Sequence, residues 1–196
     1  MIKSLDLLDD VCCTGRNINL ETLEQVLLLA LEIAREGREG RKIGTMFVVS
    51  DSDEVMKQSK NLILDPLKGH PKKFKSINDP NMRETIKELA QLDGAFVVSD
   101  DGVVISACRY INSSSEGIDL PLGFGARHMA GAFISKATDA VAVVVSESSM
   151  VRIFDDGDLV SEIIPELWML SKYKHHLTGT YSERTGSDLA VITKRE

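Results

Sequence analysis

The sequence predicts an α/β protein, a single domain in which a mixed central β-sheet is flanked by helices on both faces. Helical and strand-like segments intermingle along the 196 residues. Two pairs of adjacent strands are joined by Asp-Gly turns, which are typical of antiparallel hairpins. The composition, with 43% hydrophobic and 27% charged residues, is that of a globular domain with a substantial core. Together these observations favour a mixed sheet over a purely parallel one.

The bulk properties exclude some classes of function. The net charge of -7 and the pI of about 5.2 argue against a general nucleic-acid-binding protein, which needs a basic stripe. A local cationic pocket for a nucleotide stays compatible with this balance. No apolar run reaches the roughly 18 residues of a membrane helix. Three cysteines without framework spacing indicate reduced thiols, and we expect a cytoplasmic protein.

The first half of the chain begins with a lead-in over residues 1–18. Asn19 is then expected to cap a helix whose apolar residues recur at helical spacing, with Gly37 and Gly40 ending it. Asp79 followed by Pro80 is a second helix start, with an N-cap acid and a proline at the first helical position. The other predicted elements are a buried strand at Ile43–Ser50, a short helix at Asp53–Lys60, an irregular stretch at Asn61–Ile77 and the end of the second long helix near Leu92.

The second half is predicted to contain most of the strands. Asp100-Asp101-Gly102 and Asp155-Asp156-Gly157-Asp158 each mark the turn of a hairpin. Pro165 opens a terminal amphipathic helix, and we expect residues 19–164 to form the domain and residues 165–196 a C-terminal extension. The predicted elements are the hairpin strands Ala95–Ser99 with Val103–Ala107 and Met150–Phe154 with Leu159–Ile164, the loop Asn112–Gly117, the helix Arg127–Thr138, the strand Ala140–Ser146, the terminal helix through Trp168 and Leu170, and a last strand at Leu189–Thr193.

The segment Gly123–Ala130 has the features of a phosphate-binding turn. Glycines let the backbone approach a ligand closely, and the first turn of the following helix leaves N–H groups that point beyond its end. Arg127 adds a charged donor fork suited to phosphate oxygens, and His128 adds a second donor. A dinucleotide-binding Gly-x-Gly-x-x-Gly motif fits poorly because its sixth position is His128. A Gly-containing loop before a core helix, with Arg127 in a surface ion pair, is the alternative.

Two acidic residues lie at the ends of predicted apolar strands, one before a strand and one after another. Asp93 is followed by Gly94 and Ala95, whose minimal side chains leave room for a ribose or a metal. Glu147 follows the most strand-like run of the chain. Carboxylates at these positions suit Mg²⁺ or Mn²⁺, whereas no zinc-binding spacing occurs. The structural alternatives are a helix-to-strand turn at Asp93 and a polar hairpin turn at Glu147.

The Asp-Gly-Ala and Gly-Ala-Arg-His-Met segments, in this order and at this spacing, resemble the signature of the diadenylate cyclase domain. That family carries Asp-Gly-Ala and Gly-Thr-Arg-His-Arg motifs and makes cyclic di-AMP from two ATP molecules. The resemblance runs from about Leu23 to about Ile164 and includes further landmarks at Glu36–Met46 and Asn61–Pro66. The Gly-Ala-Arg-His-Met variant looks more like the archaeal branch. Three positions depart from the common pattern: Ala126 lacks the hydroxyl of the usual Thr, Met129 lacks the cation of the usual Arg, and Ser148 replaces an acid.

The resemblance implies that each ATP 3′-hydroxyl attacks the α-phosphate of the other ATP across facing protomers, which releases two pyrophosphates. It implies catalytic roles for Asp93, Arg127 and His128, and a Mn²⁺ or Mg²⁺ ion held by Asp93 and Glu147. Tyr110 would lie near the adenine, but core packing is the interpretation that the sequence favours for it. The implied partners are ATP, cyclic di-AMP and a second copy of the chain, without nucleic acid polymer or membrane segment. The ATP-binding residues implied in this way are Asp93, Gly94, Ala95, Gly125, Ala126, Arg127, His128 and Ser146.

Two rival functions stay open at this point. A nucleotide-binding regulatory module of the same fold, which has lost turnover, would explain the three departures from the family pattern. A metal-dependent phosphohydrolase is the other rival, but the sequence lacks the multiple Asp and His ligands usual for such enzymes.

Overall fold

The computed structural model describes residues 11, 15–16, 18–165, 178–185 and 190–194. Most of the lead-in and the terminal helix expected through Trp168 and Leu170 lie outside the described residues. The described elements are α1 (Leu20–Glu36), β1 (Thr45–Val49), α2 (Ser52–Lys57), β2 (Ser59–Asn61), a 3-10 turn (Lys72–Phe74), α3 (Pro80–Leu89), β3 (Ala95–Val98), β4 (Val104–Ile111), α4 (Ala126–Ala137), β5 (Val141–Val145), β6 (Val151–Asp155), β7 (Asp158–Ile164), β8 (Tyr181–Thr185) and β9 (Ala190–Lys194). No helix among these is long and apolar enough to cross a membrane.

The described strands form one mixed sheet in the order β2-β4-β3-β1-β5-β6-β7-β9-β8. β1 and β3 pair in parallel, and the other neighbours pair antiparallel. Helices α1 and α3 pack on one face, and α2 and α4 pack on the other. The alternation of strand side chains divides the core accordingly, because Phe47 and Val49 of β1 join one cluster while Met46 and Val48 join the other. The predicted fold class, a mixed sheet covered on both faces, is confirmed.

Local sequence signals place the main helices correctly. The Asn19 side chain accepts a hydrogen bond from the Thr22 backbone N–H at 3.2 Å, so α1 begins where the capping residue predicts. The Asp79 carboxylate accepts from the first two free N–H groups of α3. Asp156 and Gly157 both have positive φ, as a two-residue hairpin turn between β6 and β7 requires.

The structure differs from the predicted elements in four places. The short helix expected at Asp53–Lys60 ends at Lys57, and Ser59–Asn61 form strand β2, which was not predicted. α3 ends at Leu89, three residues earlier than expected. β4 continues to Ile111, past the predicted end at Ala107, because a bulge lets the strand pass Cys108 and still pair with β2. Strand β8 was not predicted; it pairs with β9, and β9 pairs with β7, so the C-terminal residues extend the sheet. The predicted strand at Leu189–Thr193 is confirmed as β9.

Candidate functional site

The topology brings the two acidic motifs to one edge of the sheet. β1 lies between β5 and β3; it pairs antiparallel with β5 and parallel with β3. The C-terminal end of β5 and the N-terminal ends of β1 and β3 are therefore at the same end of the strands. Asp93 lies two residues before the start of β3, and Glu147 lies two residues after the end of β5. The start of β1 separates the two carboxylates, which are distant in sequence but neighbours in the fold.

Arg127 joins these carboxylates. One Nη atom lies 3.1 Å from Asp93 Oδ1, and the other lies 3.4 Å from Glu147 Oε1. The carboxylate side chains are 72% and 71% exposed, and the guanidinium side chain is 36% exposed. Because exposed pairs of this kind contribute at most about 1 kcal/mol, Arg127 can leave either partner at little cost. The predicted surface ion pair therefore exists, and it lies inside the predicted site.

All of the predicted site residues line one or both of two adjoining cavities. The larger cavity, of about 290 Å³, is lined by Asp93, Gly125, Ala126, Arg127, His128, Val144, Val145, Ser146 and Glu147. The smaller, of about 130 Å³, shares Asp93, Ala126 and Arg127 with it and adds Gly94, Ala95 and a partly apolar wall. Tyr110 belongs to that wall and is 45% exposed, so the interpretation of Tyr110 as a core residue was wrong.

The N-terminus of α4 opens into the larger cavity. Gly125 occupies the N-cap position without a side-chain cap; its N–H donates to His128 Nδ1 at 3.3 Å, and the His128 N–H donates to the Gly125 carbonyl at 3.0 Å. The backbone N–H groups of Ala126 and Arg127, two residues that line the cavity, are left for a ligand. This helix end carries partial positive charge, and Arg127 adds a full one. The arrangement suits an anion with several oxygens, such as a phosphate chain.

Ser146 and Glu147 lie in the turn between β5 and β6. The Ser146 N–H donates to the Met150 carbonyl at 2.8 Å, and the Ser146 hydroxyl accepts from the Ser148 N–H at 3.1 Å. The backbone at Glu147 therefore forms a polar hairpin turn, which was the alternative interpretation of this residue. The Glu147 side chain nevertheless faces the cavity and Arg127, so the turn and the site coincide.

Asp93 is positioned by a close approach of two backbone segments. Gly94 has φ +107°, and a Cβ built on it would lie 2.8 Å from Cys108 Cα. Cys108 itself has φ +54° and forms part of the β4 bulge. Asp65 holds that bulge, since its carboxylate accepts from the Ala107 N–H and the Ser106 hydroxyl. Burial raises the pKa of the Cys108 thiol, and the Asp65 and Asp93 carboxylates raise it further.

Two residues that contact site side chains were not singled out in the sequence analysis. Gly44 precedes β1, and a Cβ there would lie 2.8 Å from Arg127 Nη1 and 3.2 Å from Glu147 Cγ. A lone glycine before a strand carries no signal of such a role. Arg152 contacts His128 from β6. A charged residue inside an otherwise apolar strand was a signal for it, but the partner of that charge depends on strand register.

Replacing Gly44 by alanine is expected to reduce turnover at this site about 10- to 100-fold, because a methyl group 2.8 Å from Arg127 Nη1 would push the guanidinium aside and hinder its movement from the carboxylates to a bound phosphate. The free energy of unfolding should change by less than about 1 kcal/mol, since the clash is with the flexible end of a side chain. Steady-state kinetics and urea unfolding of the same preparation measure the two effects. Wild-type turnover in Gly44→Ala would show that the guanidinium position is unimportant.

The carboxylates fit part of a divalent-metal site. Among the described residues, no group of three or more His, Cys, Asp or Glu side chains could hold a metal ion. At this edge, the described residues offer two carboxylates that could contribute to a metal site, Asp93 and Glu147. Mg²⁺ is commonly bound by one or two carboxylates together with substrate phosphates and water. These residues thus fit a metal that arrives with, or is completed by, a phosphorylated substrate.

Comparison with known proteins shows the family to which this chain is similar. The sequence model of the family described as "DAC: DisA bacterial checkpoint controller nucleotide-binding" matches residues 32–159. A diadenylate cyclase of Methanocaldococcus jannaschii is 50% identical over 145 residues, which are 74% of this chain and 46% of that protein. A diadenylate cyclase of Haloferax volcanii is 42% identical over 147 residues, which are 74% of this chain and 54% of that protein. The chain thus spans about half the length of these two relatives.

A solved structure shares the fold. The crystal structure of a hypothetical membrane spanning protein from Bacillus cereus superposes with a TM-score of 0.55 at 16% identity, covering 81% of this chain and 72% of that chain. The span that the family model matches, residues 32–159, includes the Asp93 motif, the Arg127 turn and Glu147. The chain belongs to the DAC family, and the predicted resemblance, including its archaeal character, is confirmed.

Proposed function

We propose that this chain is a diadenylate cyclase, which condenses two ATP molecules into cyclic di-AMP and two pyrophosphates. The observation that carries the proposal is the convergence of Asp93, Arg127, Glu147 and the α4 N-terminus on one cavity. Membership of the family supports the same reaction. The reaction needs in-line positioning of a hydroxyl and a phosphorus atom together with charge neutralisation, and it needs little covalent chemistry from the protein.

Different residues provide phosphate binding and metal binding. The α4 N–H groups, Arg127 and His128 bind phosphate oxygens, and Asp93 and Glu147 hold Mn²⁺ or Mg²⁺. When bound, the metal polarises the α-phosphate and favours ionisation of the attacking hydroxyl. Arg127 then leaves the carboxylates for the phosphates, which the weak exposed ion pairs permit. The smaller cavity, with Tyr110 and Met46 on its wall, receives the adenine.

Two protomers are required for the complete reaction. Each chain contributes one Asp93 and one α4 N-terminus, so it holds one ATP in the reactive position. The 3′-hydroxyl of that ATP needs a second α-phosphate opposite it, and a facing protomer supplies one. Much of the acceleration then comes from holding the two substrates in proximity and alignment.

Incubation of the purified protein with ATP and either Mn²⁺ or Mg²⁺, followed by chromatography of the products, tests the proposal. We expect cyclic di-AMP and pyrophosphate in a ratio of one to two. The rate per protomer should rise with protein concentration until self-association is complete, because the site is shared. Release of ADP or AMP with inorganic phosphate would instead identify a phosphohydrolase.

A regulatory nucleotide-binding module is the second candidate. Ala126 lines both cavities without the hydroxyl expected at that position, and Ser148 uses its hydroxyl on Ser146 rather than supplying an acid. ATP binding without any cyclic product, under conditions where the protein is folded, would favour this module over the enzyme.

A further inference from the structure

The loop after β2 runs beside the bulge in strand β4. In the ladder between β3 and β4, the two residues Ala107 and Cys108 stand opposite Phe96 alone, so β4 contains one extra residue at this point. A bulge of this kind leaves backbone groups without partners in the ladder. Because unpaired backbone groups are costly when buried, we expect other parts of the chain to supply these partners.

The loop after β2 supplies partners on both sides of the extra residue. The Leu62 N–H donates to the Cys108 carbonyl at 3.0 Å. The Asp65 carboxylate accepts from the Ala107 N–H at 3.2 Å and from the Ser106 hydroxyl at 2.7 Å. Its Oδ1 atom also accepts, at 2.9 Å, from the backbone N–H two residues further along the loop. The carboxylate is therefore held by its own turn while it holds the bulge.

The bulge in turn supports the backbone that orients Asp93. Cys108 has φ +54°, a conformation that persists in a residue with a Cβ only where surrounding contacts hold it. A Cβ on Gly94 would lie 2.7–2.9 Å from backbone atoms of Cys108 and Arg109, so the Gly94 backbone rests directly on the bulge. The Gly94 N–H donates to Asp93 Oδ1 at 3.0 Å. A chain of contacts thus connects Asp65 to the Asp93 carboxylate.

Asp65 is not itself part of the site. Asp93 lines both of the adjoining cavities, whereas Asp65 lines neither of them. An effect of Asp65 on the reaction therefore passes through the bulge and Gly94 rather than through a contact with the substrate. Such an effect can be large, because a displacement of about 1 Å in a reacting group can lower a rate about a hundredfold.

We propose that Asp65 is a positioning residue, which holds the β4 bulge so that Gly94 keeps the Asp93 carboxylate where it can bind the metal of a bound ATP. The three hydrogen bonds of the Asp65 carboxylate and the close approach of Gly94 to the bulge carry this proposal. The proposal deepens the proposed function and rests on it for the identity of the ligand, ATP with Mn²⁺ or Mg²⁺.

Two replacements of Asp65 separate its hydrogen bonds from its charge. Asp65→Ala removes every contact of the carboxylate, and we expect kcat for cyclic di-AMP formation to fall about 10- to 100-fold while KM for ATP changes by less than about threefold. The amide oxygen of Asp65→Asn can keep both backbone contacts of Oδ1, so its rate should stay within about threefold of the wild type. An asparagine variant as slow as the alanine variant would overturn the proposal.

Two further measurements need no turnover. The nucleotide 3′-deoxy-ATP lacks the attacking hydroxyl, and calorimetry gives its affinity with Mn²⁺ and with EDTA. Asp65→Ala should keep the metal-free affinity and lose about tenfold of the gain that Mn²⁺ provides, because Asp93 is displaced. Iodoacetamide labelling of Cys108, which is 2% exposed, followed by peptide mass spectrometry, reports on the bulge itself. Labelling should be faster in Asp65→Ala than in Asp65→Asn, which removes the same charge from near the thiol.

Asp79→Ala is the matched control. The Asp79 carboxylate also accepts from two backbone N–H groups, at the start of α3, and it lines neither cavity. Its loss should destabilise the protein comparably but leave the rate, the gain from Mn²⁺ and Cys108 labelling unchanged. Equal losses of rate in Asp79→Ala and Asp65→Ala would show an effect of stability alone and would overturn the proposal.

Ser106→Ala removes one contact of Asp65 and should give the same pattern with smaller changes. It keeps the test available if Asp65→Ala does not fold. Wild-type rate and wild-type gain from Mn²⁺ in Asp65→Ala, or in Ser106→Ala where Asp65→Ala does not fold, overturn the proposal. If the labelling and 3′-deoxy-ATP results are as expected but the wild type forms no cyclic di-AMP, the positioning role stands and the proposed activity fails.

Discussion

Replacing Asp93 by asparagine is expected to abolish cyclic di-AMP formation, with a fall in rate of about a thousandfold or more, while the fold persists. The change removes the charge that would hold the metal at the reacting phosphate, and charge stabilisation of this kind supplies several kcal/mol to such reactions. The side chain is 72% exposed and its recorded ion pair is with Arg127, so the loss of stability should stay within about 1 kcal/mol. Product chromatography and thermal unfolding of one preparation measure the two quantities.

Asp119→Asn provides the matched control, because it changes another exposed carboxylate away from the larger cavity. Its rate should equal that of the wild type. Retained activity in Asp93→Asn would remove this carboxylate from the mechanism. Loss of activity together with a large drop in the unfolding temperature would show a structural role instead of a chemical one.

The second large effect is expected from Gly94→Ala, which should lower the free energy of unfolding by about 3 kcal/mol or more. The backbone at φ +107° is unfavourable for any residue with a Cβ, and this Cβ would meet the Cys108 backbone at 2.7–2.8 Å. Backbone atoms in the middle of a sheet cannot move aside as a flexible side chain can. The midpoint of urea unfolding, compared at constant slope, measures the change.

Gly69→Ala separates the two causes of that loss. Gly69 also has positive φ, at +85°, but a Cβ there meets nothing within 4 Å. It should therefore cost about 1–2 kcal/mol from backbone strain alone. If Gly94→Ala were no more destabilising than Gly69→Ala, the close approach of Gly94 to the β4 bulge would add nothing to the loss in free energy of unfolding. The Asp93 position would then depend on something other than this contact.

Local signals in the sequence predicted most of the described elements. Capping residues placed the starts of α1 and α3, and the Asp-Gly turns placed two hairpins, because these features act within a few residues of the chain. The strand β8 was missed because Tyr181–Arg184 have no buried apolar side chain and the strand pairs only with β9, at the edge of the described sheet.

Strand register shows the limit of such reasoning at the site. The two-residue turn after Asp155 would pair Arg152 with Ser161 if β6 and β7 ran without interruption. A bulge in the ladder shifts the register by one residue, and Arg152 pairs with Glu162 instead. The buried ion pair behind His128 therefore depends on an irregularity that local turn chemistry does not encode.

The sequence by itself determined the fold class, the main helix starts and the residue types able to bind phosphate and metal, since each depends on periodicity, caps or side-chain chemistry close together in the chain. Only the tertiary structure decided which of these residues meet. The antiparallel pairing of β5 with β1 brings Glu147 beside Asp93, the missing side chain of Gly44 leaves space for Arg127, and the β4 bulge positions Gly94. These are long-range packing relations, and they become fixed only when the sheet has formed.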